Sequence, residues 1–274
     1  MKNWLVTGVS SGLGRALAQE VLTTGDTVIG TVRTEKDLLA FEALHPERAI
    51  GYLLDVTDSA KIIEVVAAAE ERTGGLDVLV NNAGYCLIGA VEEITVEELR
   101  ALFEVNFFGA VSCIKTVLPG FRSRRAGHII NITSVSGLAP WAGTAAYGSS
   151  KYALEGFGQT LAQEMLEFGV KVTNIEPGGL DTDFASRSVA TAKQEIPAYQ
   201  GTAAHLPKQI FAAEQTKAGD ANKAAKAIIA IVESDNPPAQ LMLGEDAVHY
   251  AGNHIATFIA NMADWMPLTM SIKR

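Results

Sequence analysis

Tyr147 and Lys151 stand four residues apart in Tyr147-Gly148-Ser149-Ser150-Lys151, and Ser134 precedes the tyrosine by thirteen residues. Residues four apart on a helix share a face, so the ammonium would lie close to the phenol. A free phenol titrates near ~10 and exchanges protons poorly at neutral pH. A nearby positive charge favours the phenolate and lowers that value. Bringing the phenol near neutral pH takes about 4 kcal/mol of differential stabilisation, at about 1.4 kcal/mol per pH unit. General acid–base catalysis works best with a group poised near the operating pH. The trio therefore reads as a proton-transfer site. Tyr-x-x-x-Lys alone also describes an ordinary solvated helix face, so the elements that would position it carry the decision.

The chain opens on a strand, Asn3-Trp4-Leu5-Val6-Thr7, that runs directly into Gly8-Val9-Ser10-Ser11-Gly12-Leu13-Gly14. A helical pattern follows, with Leu13, Ala16, Leu17, Glu20 and Val21 at three- and four-residue spacing. Strand, glycine turn and helix is the context that makes a glycine motif meaningful. Glycines let the backbone turn tightly and approach a diphosphate, and the N–H groups of the helix start hold its charge. The spacing is Gly-x-x-x-Gly-x-Gly, which differs from the standard dinucleotide fingerprint. A second strand, 27–33, ends on Val32-Arg33, where a carboxylate would ordinarily meet a ribose 2′-hydroxyl. Arginine pairs with a 2′-phosphate instead, which favours NADPH over NADH while leaving NAD(H) possible. The glycine turn itself holds no basic residue, so that selectivity is expected to be modest.

Further strands are predicted at 49–54, 77–80, 127–132, 170–175 and 239–243, and helices over 35–44, 59–73, 96–124, 146–168 and 220–234. Val78-Leu79-Val80 and His128-Ile129-Ile130 are continuous runs suited to a parallel sheet buried on both faces. The alternation predicts an α/β fold: one doubly wound, Rossmann-like parallel sheet of about seven strands with helices on both faces, forming a single domain over 1–274. Ligands in such sheets bind at the carboxyl ends of the strands. The glycine turn, Arg33, Asp55, Asn81, Ser134 and Pro177-Gly178 all fall at that end of six successive strands.

Composition narrows the partners. The formal charge of −9 argues against nucleic acid, which demands a basic footprint. No stretch reads as a membrane span. The N-terminus enters a strand at once, which points away from a signal peptide. Cys86 and Cys113 show no metal spacing and read as free thiols in a reducing compartment, so a cytoplasmic location is expected. His249 and His254 lack the spacing of a zinc helix, and no metal site is predicted.

With those residues assembled, the chain resembles the short-chain dehydrogenase/reductase family, closely over residues 3–183 and loosely beyond. Thr7-Gly8-x-x-x-Gly12-x-Gly14 resembles its cofactor turn, which brings Ser10, Ser11 and Leu13 to the cofactor. Asp55 with Val56 resembles its adenine contact. Asn81-Asn82-Ala83-Gly84 resembles the segment that supports the sheet and lines the cofactor. Pro177-Gly178, with Leu180 and Thr182, resembles the loop against the nicotinamide carboxamide. The resemblance implies that Tyr147 exchanges a proton with the substrate oxygen as hydride moves to or from the nicotinamide. Ser134 would hold that oxygen. Lys151 would lower the tyrosine pKa and bind the nicotinamide ribose. Asn106 would hold a water linking Lys151 to solvent.

The substrate end is less explicit. Segment 183–220 carries Phe184, Ile196, Pro197, Tyr199, Leu206, Pro207, Ile210 and Phe211, and by position resembles a substrate lid. Cys86, Leu138, Trp141, Gly179 and Leu180 are candidate pocket walls. These residues suit an apolar ketone, aldehyde or secondary alcohol. The tail 246–274 reads as a helical extension packed on the core or on a neighbouring subunit. The helices 96–124 and 146–168 resemble the family's subunit-pairing helices, so a homodimer or homotetramer is expected. Three functions compete: an NADPH-dependent carbonyl reductase or alcohol dehydrogenase, a steroid- or retinoid-type hydroxy dehydrogenase, and a non-catalytic nucleotide sensor. A sensor has no use for Ser134, Tyr147, Lys151 and Asn106 together.

Overall fold

The computed structural model describes residues 1–207 and 218–273. Seven strands form one parallel sheet: β1 (Asn3–Thr7), β2 (Thr27–Val32), β3 (Ala49–Leu53), β4 (Val78–Asn81), β6 (His128–Ile132), β7 (Lys171–Pro177) and β11 (Gln240–Leu243). Their order is β11-β7-β6-β4-β1-β2-β3, so the sheet grows outward in both directions from β1 and β4. That reversal opens a crevice at the carboxyl ends of the strands. Two short pairs were not legible in the apolar pattern. These are β5 (Cys86–Ile88) with β9 (Val189–Thr191), and β8 (Leu180–Asp181) with β10 (Gly219–Asp220).

Both sheet faces are buried, as continuous apolar runs demand. On one face α1 (Gly12–Thr23) packs with α8 (Ala221–Glu233) through Leu13, Leu17, Val21, Ala225 and Ile228. On the other, α3 (Ser59–Thr73), α5 (Ala110–Arg124) and α6 (Ala145–Met165) bury Ile62, Val66, Ile114, Phe121, Leu161 and Met165. Burying a side chain of this size stabilises the fold by roughly 1.5–3 kcal/mol.

The predicted helix 96–124 is continuous but not uniform. It runs as α4 (Val96–Phe103), a π-helical turn at Glu104–Gly109, then α5. Thr95 and Glu98 start it with a reciprocal capping box. By length and composition Val96–Arg124 could cross a membrane, contrary to the expectation that no stretch reads as a span. In this fold Leu102, Ile114, Val117 and Phe121 turn its apolar face inward.

Buried amides tie α6 to the sheet. Asn81 donates to Asn131 (2.9 Å), Asn131 to Asn174 (3.0 Å), and Asn174 to the Glu155 backbone oxygen (2.9 Å) and carboxylate (2.8 Å). The ladder fixes the height of α6, and with it Tyr147 and Lys151, over β4, β6 and β7. Burial, reinforced by Glu155, pushes the neighbouring Glu176 carboxyl up to about 8.

Candidate active site

The strand ends open onto one cavity of about 630 Å³. The chain after β1 takes left-handed conformations at Gly8 (φ +75°) and Gly12 (φ +57°). These are torsions a side chain resists. Gly14 allows a close approach: a Cβ there would stand 2.3 Å from the Gly8 carbonyl oxygen and 2.4 Å from the Asn82 amide nitrogen. Asn82 uses that amide to bind the Thr7 and Gly8 carbonyls, at 2.9 and 3.0 Å. The Thr7 hydroxyl accepts the N–H groups of Asn82 and Ala83, each at 3.0 Å. Ser11 starts α1 without a side-chain cap, which leaves first-turn N–H groups for an anion.

On one side of the glycine turn the cavity is lined by Arg33, Asp55 and Val56, after the outer strands β2 and β3, and on the other by Ala83 and Gly84, after β4. Asp55 accepts the backbone N–H (2.9 Å) and hydroxyl (2.8 Å) of Thr57. The backbone bond does most to hold its carboxyl below the usual range, with a smaller contribution from the Arg33 charge.

Ser134, Tyr147 and Lys151 line the same cavity, with Pro177, Gly178, Gly179, Leu180 and Thr182. Ser134 ends the run from β6, and its hydroxyl accepts the Ser136 N–H at 3.1 Å. The Lys151 ammonium donates to the Ile132 carbonyl at 2.8 Å and lies 5.8 Å from the centre of the Tyr147 ring. Asn106, in the π-helical turn, is buried beneath the cavity. Its amide oxygen accepts the Tyr85 N–H (3.0 Å), and its nitrogen donates to the Tyr85 carbonyl (2.9 Å) and the Ser150 hydroxyl (3.0 Å). The amide therefore braces the segment after β4 against α6. A π-helical turn inside an α-helix often marks such a functional position.

A family model for short chain dehydrogenases matches residues 2–193. The chain belongs to the short-chain dehydrogenase/reductase family. It is 36% identical to Oxidoreductase BOA17 of Botryotinia fuckeliana over 98% of each chain. It is 33% identical to 3-ketodihydrosphingosine reductase of Bacteroides thetaiotaomicron, over 97% of this chain and 93% of the relative. A short-chain dehydrogenase from Streptomyces avermitilis has the same fold at a TM-score of 0.92 and 40% identity, over 99% of this chain and 98% of that one. The NADP-bound structure of ElxO matches at a TM-score of 0.75 and 26% identity, over 91% of this chain and all of ElxO. The family and these neighbours support binding of a nicotinamide cofactor.

Several expectations need correction. Lys151 was expected to lower the Tyr147 pKa. Burial dominates both groups: it pushes the phenol above its ordinary value and the ammonium down to about 8. A hydrogen bond with Ser134 opposes the rise at Tyr147 only in part. Cys86 is no pocket wall. It is fully buried in the cluster that holds Tyr147, Leu102 and Ala146, and burial pushes its thiol up to about 12. Leu138 packs against the buried cluster of Val135, Ala247 and Ala251 without lining the cavity. Gly14 and Asn106 support the lining from behind.

Of the apolar residues expected in the lid, Phe184 lines the cavity. Ile196, Pro197, Tyr199, Leu206 and Pro207 do not, because their stretch is bound to the segment following β5. The Glu93 carboxylate accepts the N–H groups of Ile196 (2.8 Å) and Ala90 (2.9 Å) and meets His205 at 3.0 Å. The bond from Ile196 does most to hold its pKa at about 2. Tyr199 donates to Glu92. Ile210 and Phe211 lie outside the described residues. Sequence reasoning missed Tyr85, Ser136, Arg187 and Asp246 as lining residues. Asp246 lies far along the chain in α9 (Glu245–Asp264), and no local motif marks it. Among the described residues, no cluster of His, Cys, Asp or Glu could hold a metal.

Proposed function

We propose that this dehydrogenase transfers hydride between NADPH and an apolar ketone, aldehyde or secondary alcohol. The observation that carries the reading is one cavity lined both by the glycine turn after β1 and by Ser134, Tyr147 and Lys151. The cofactor fits that cavity: Gly14 admits the close backbone turn, α1 offers uncapped N–H groups, and Arg33 offers a cation. Gly8, Ser10, Ser11, Gly12, Leu13, Asp55, Val56, Asn82, Ala83 and Gly84 would hold its nucleotide half, and Pro177, Gly178, Leu180, Thr182, Tyr147 and Lys151 its nicotinamide half. Bound there, the nicotinamide carries the hydride.

Tyr147 donates its hydroxyl proton to the carbonyl oxygen of the substrate and recovers one from it in reverse. Burial keeps the phenol protonated at neutral pH, the form that donates. Ser134 hydrogen-bonds the same oxygen and fixes its position. Lys151, charged below about pH 8, faces the developing negative charge and binds the ribose. Asn106 positions Tyr85 and α6 around it.

Arg33→Ala tests the cofactor preference. Losing a charge-assisted bond to a 2′-phosphate is expected to weaken NADPH by roughly 10–100-fold. NADH should change by less than about twofold on the same scale. Fluorescence titration reads both, and equal losses would end the 2′-phosphate reading.

A bulkier steroid-, retinoid- or acyl-chain-type substrate is the second reading. The apolar cavity walls Trp141, Phe184 and Val189 favour it, as does the likeness to a protein named 3-ketodihydrosphingosine reductase.

We further propose that the protein works in the cytoplasm as a homo-oligomer. Its two buried free thiols suit a reducing compartment. Helix α9 buries Ala247 and Ala251 at its start and then leaves the body of the fold. Phe258 and Trp265 are each 64% exposed, and Ile255, Ile259, Met262 and Leu268 are also open. These six large apolar side chains form the kind of surface that a stable interface covers. No Lys or Arg lies between Glu245 and Ile272, and the chain is acidic, so a second copy suits the arm better than an anionic lipid surface. Light scattering after gel filtration should find an oligomer that Phe258→Glu with Trp265→Glu converts to smaller species. A monomeric wild type, or one that sediments with phosphatidylserine vesicles, contradicts this.

A further inference from the structure

The first turns of α9 reach the cavity, and the chemistry above gives them no task. Asp246 lines the cavity beside Gly178 and Gly179. Its carboxylate accepts the Gly179 N–H at 2.6 Å. A Cβ built on Gly178 would stand 2.2 Å from both carboxylate oxygens, so Asp246 rests directly on the Gly178 α-carbon. Behind it, Ala247 and Ala251 are fully buried, and the Tyr250 ring lies 4.6 Å from Trp141, another lining residue. The carboxylate is therefore mounted on an anchored helix start.

Its partner is a pair of glycines in the cavity wall. Two consecutive glycines have the largest conformational freedom to lose and no side chains to pack. The Gly178 N–H is held by the Leu243 carbonyl at 2.9 Å, and the Gly179 carbonyl accepts from Gly219 at 2.8 Å. The bond from the Gly179 N–H to Asp246 is the side-chain contact that completes the clamp.

We propose that Asp246 is a positioning residue that fixes the Gly178–Gly179 turn and thereby sets how firmly the nicotinamide half of the cofactor is held. The proposal rests on the cofactor reading given above. It predicts an effect confined to one half of the ligand, which a loss of general stability would not produce.

The test compares two probes by equilibrium titration: NADPH, and 2′-phospho-ADP-ribose, which lacks the nicotinamide. Asp246→Ala should weaken NADPH at least about tenfold and leave 2′-phospho-ADP-ribose within about twofold of wild type. Asp246→Asn should restore most of the affinity, since its amide oxygen still accepts from Gly179. Gly178→Ala reaches the same contact from the other side and should give the same selective loss, which covers the case of an unfolded Asp246→Ala. Wild-type NADPH affinity in both Asp246→Ala and Gly178→Ala, or equal losses for the two probes, would overturn the proposal. A wild-type protein that binds neither probe would overturn the cofactor reading itself, and the clamp with it.

Discussion

Replacing Tyr147 with phenylalanine is expected to lower turnover by roughly 10²–10⁴-fold, the usual worth of a positioned proton donor, with NADPH affinity changed by less than about threefold. The substitution removes one oxygen and keeps the ring that packs against Cys86, Leu102 and Ala146. Lys151 keeps its bond to the Ile132 carbonyl, and Asn106 keeps its bonds to Tyr85 and Ser150. The cavity should stay intact while the proton is lost. Folding should change by about 1 kcal/mol, the net worth of one hydrogen bond. Steady-state rates and a fluorescence titration on one preparation separate chemistry from binding. Undiminished turnover would remove Tyr147 from the mechanism.

Gly14→Ala should have the second largest effect, and two physical arguments give it opposite signs. Helix propensity favours alanine over glycine by about 1 kcal/mol. Sterics oppose it, since the new methyl would lie 2.3 Å from a backbone oxygen and 2.4 Å from the Asn82 amide. Neither neighbour can withdraw cheaply, because that amide is itself bonded to the Gly8 carbonyl. Overpacking of this kind costs about 1–3 kcal/mol and usually shifts backbone. The steric cost should win, lowering thermal stability by several degrees. The displaced glycine turn should weaken NADPH by more than about tenfold. Unchanged melting and unchanged affinity would mean the turn has slack that the structure does not display.

The residues that carry chemistry were legible because they sit at the ends of strands whose apolar runs announce a parallel sheet. Once Val78–Val80 and His128–Ile130 are read as buried strands, Asn82 and Ser134 must fall at the same edge as the glycine turn. The direction of single side chains was not legible. Cys86 lies two residues beyond Gly84, yet the pairing of β5 with β9 turns it behind the phenol. Tyr199 reads as an apolar lid residue until its hydroxyl is seen to bind Glu92. Asp246 meets Gly179 only because β11 lies beside β7 and brings the start of α9 to the Pro177 end. No spacing rule contains that contact. The electrostatics of Tyr147 were misjudged for a related reason. The sequence places a charge nearby, but the depth of burial that outweighs it belongs to the packing of α6 on the sheet.

The most direct test of the account follows the near-ultraviolet absorbance of NADPH as the wild-type protein meets aryl ketones, aldehydes, diketones, steroid ketones and long-chain ketones. The account predicts that at least one apolar class oxidises NADPH and yields an equal amount of alcohol, more efficiently than with NADH. If no carbonyl oxidised NADPH or NADH, and no matching alcohol reduced NADP⁺, while the cofactor bound tightly, the cavity would be a nucleotide sensor and the hydride-transfer account would be wrong.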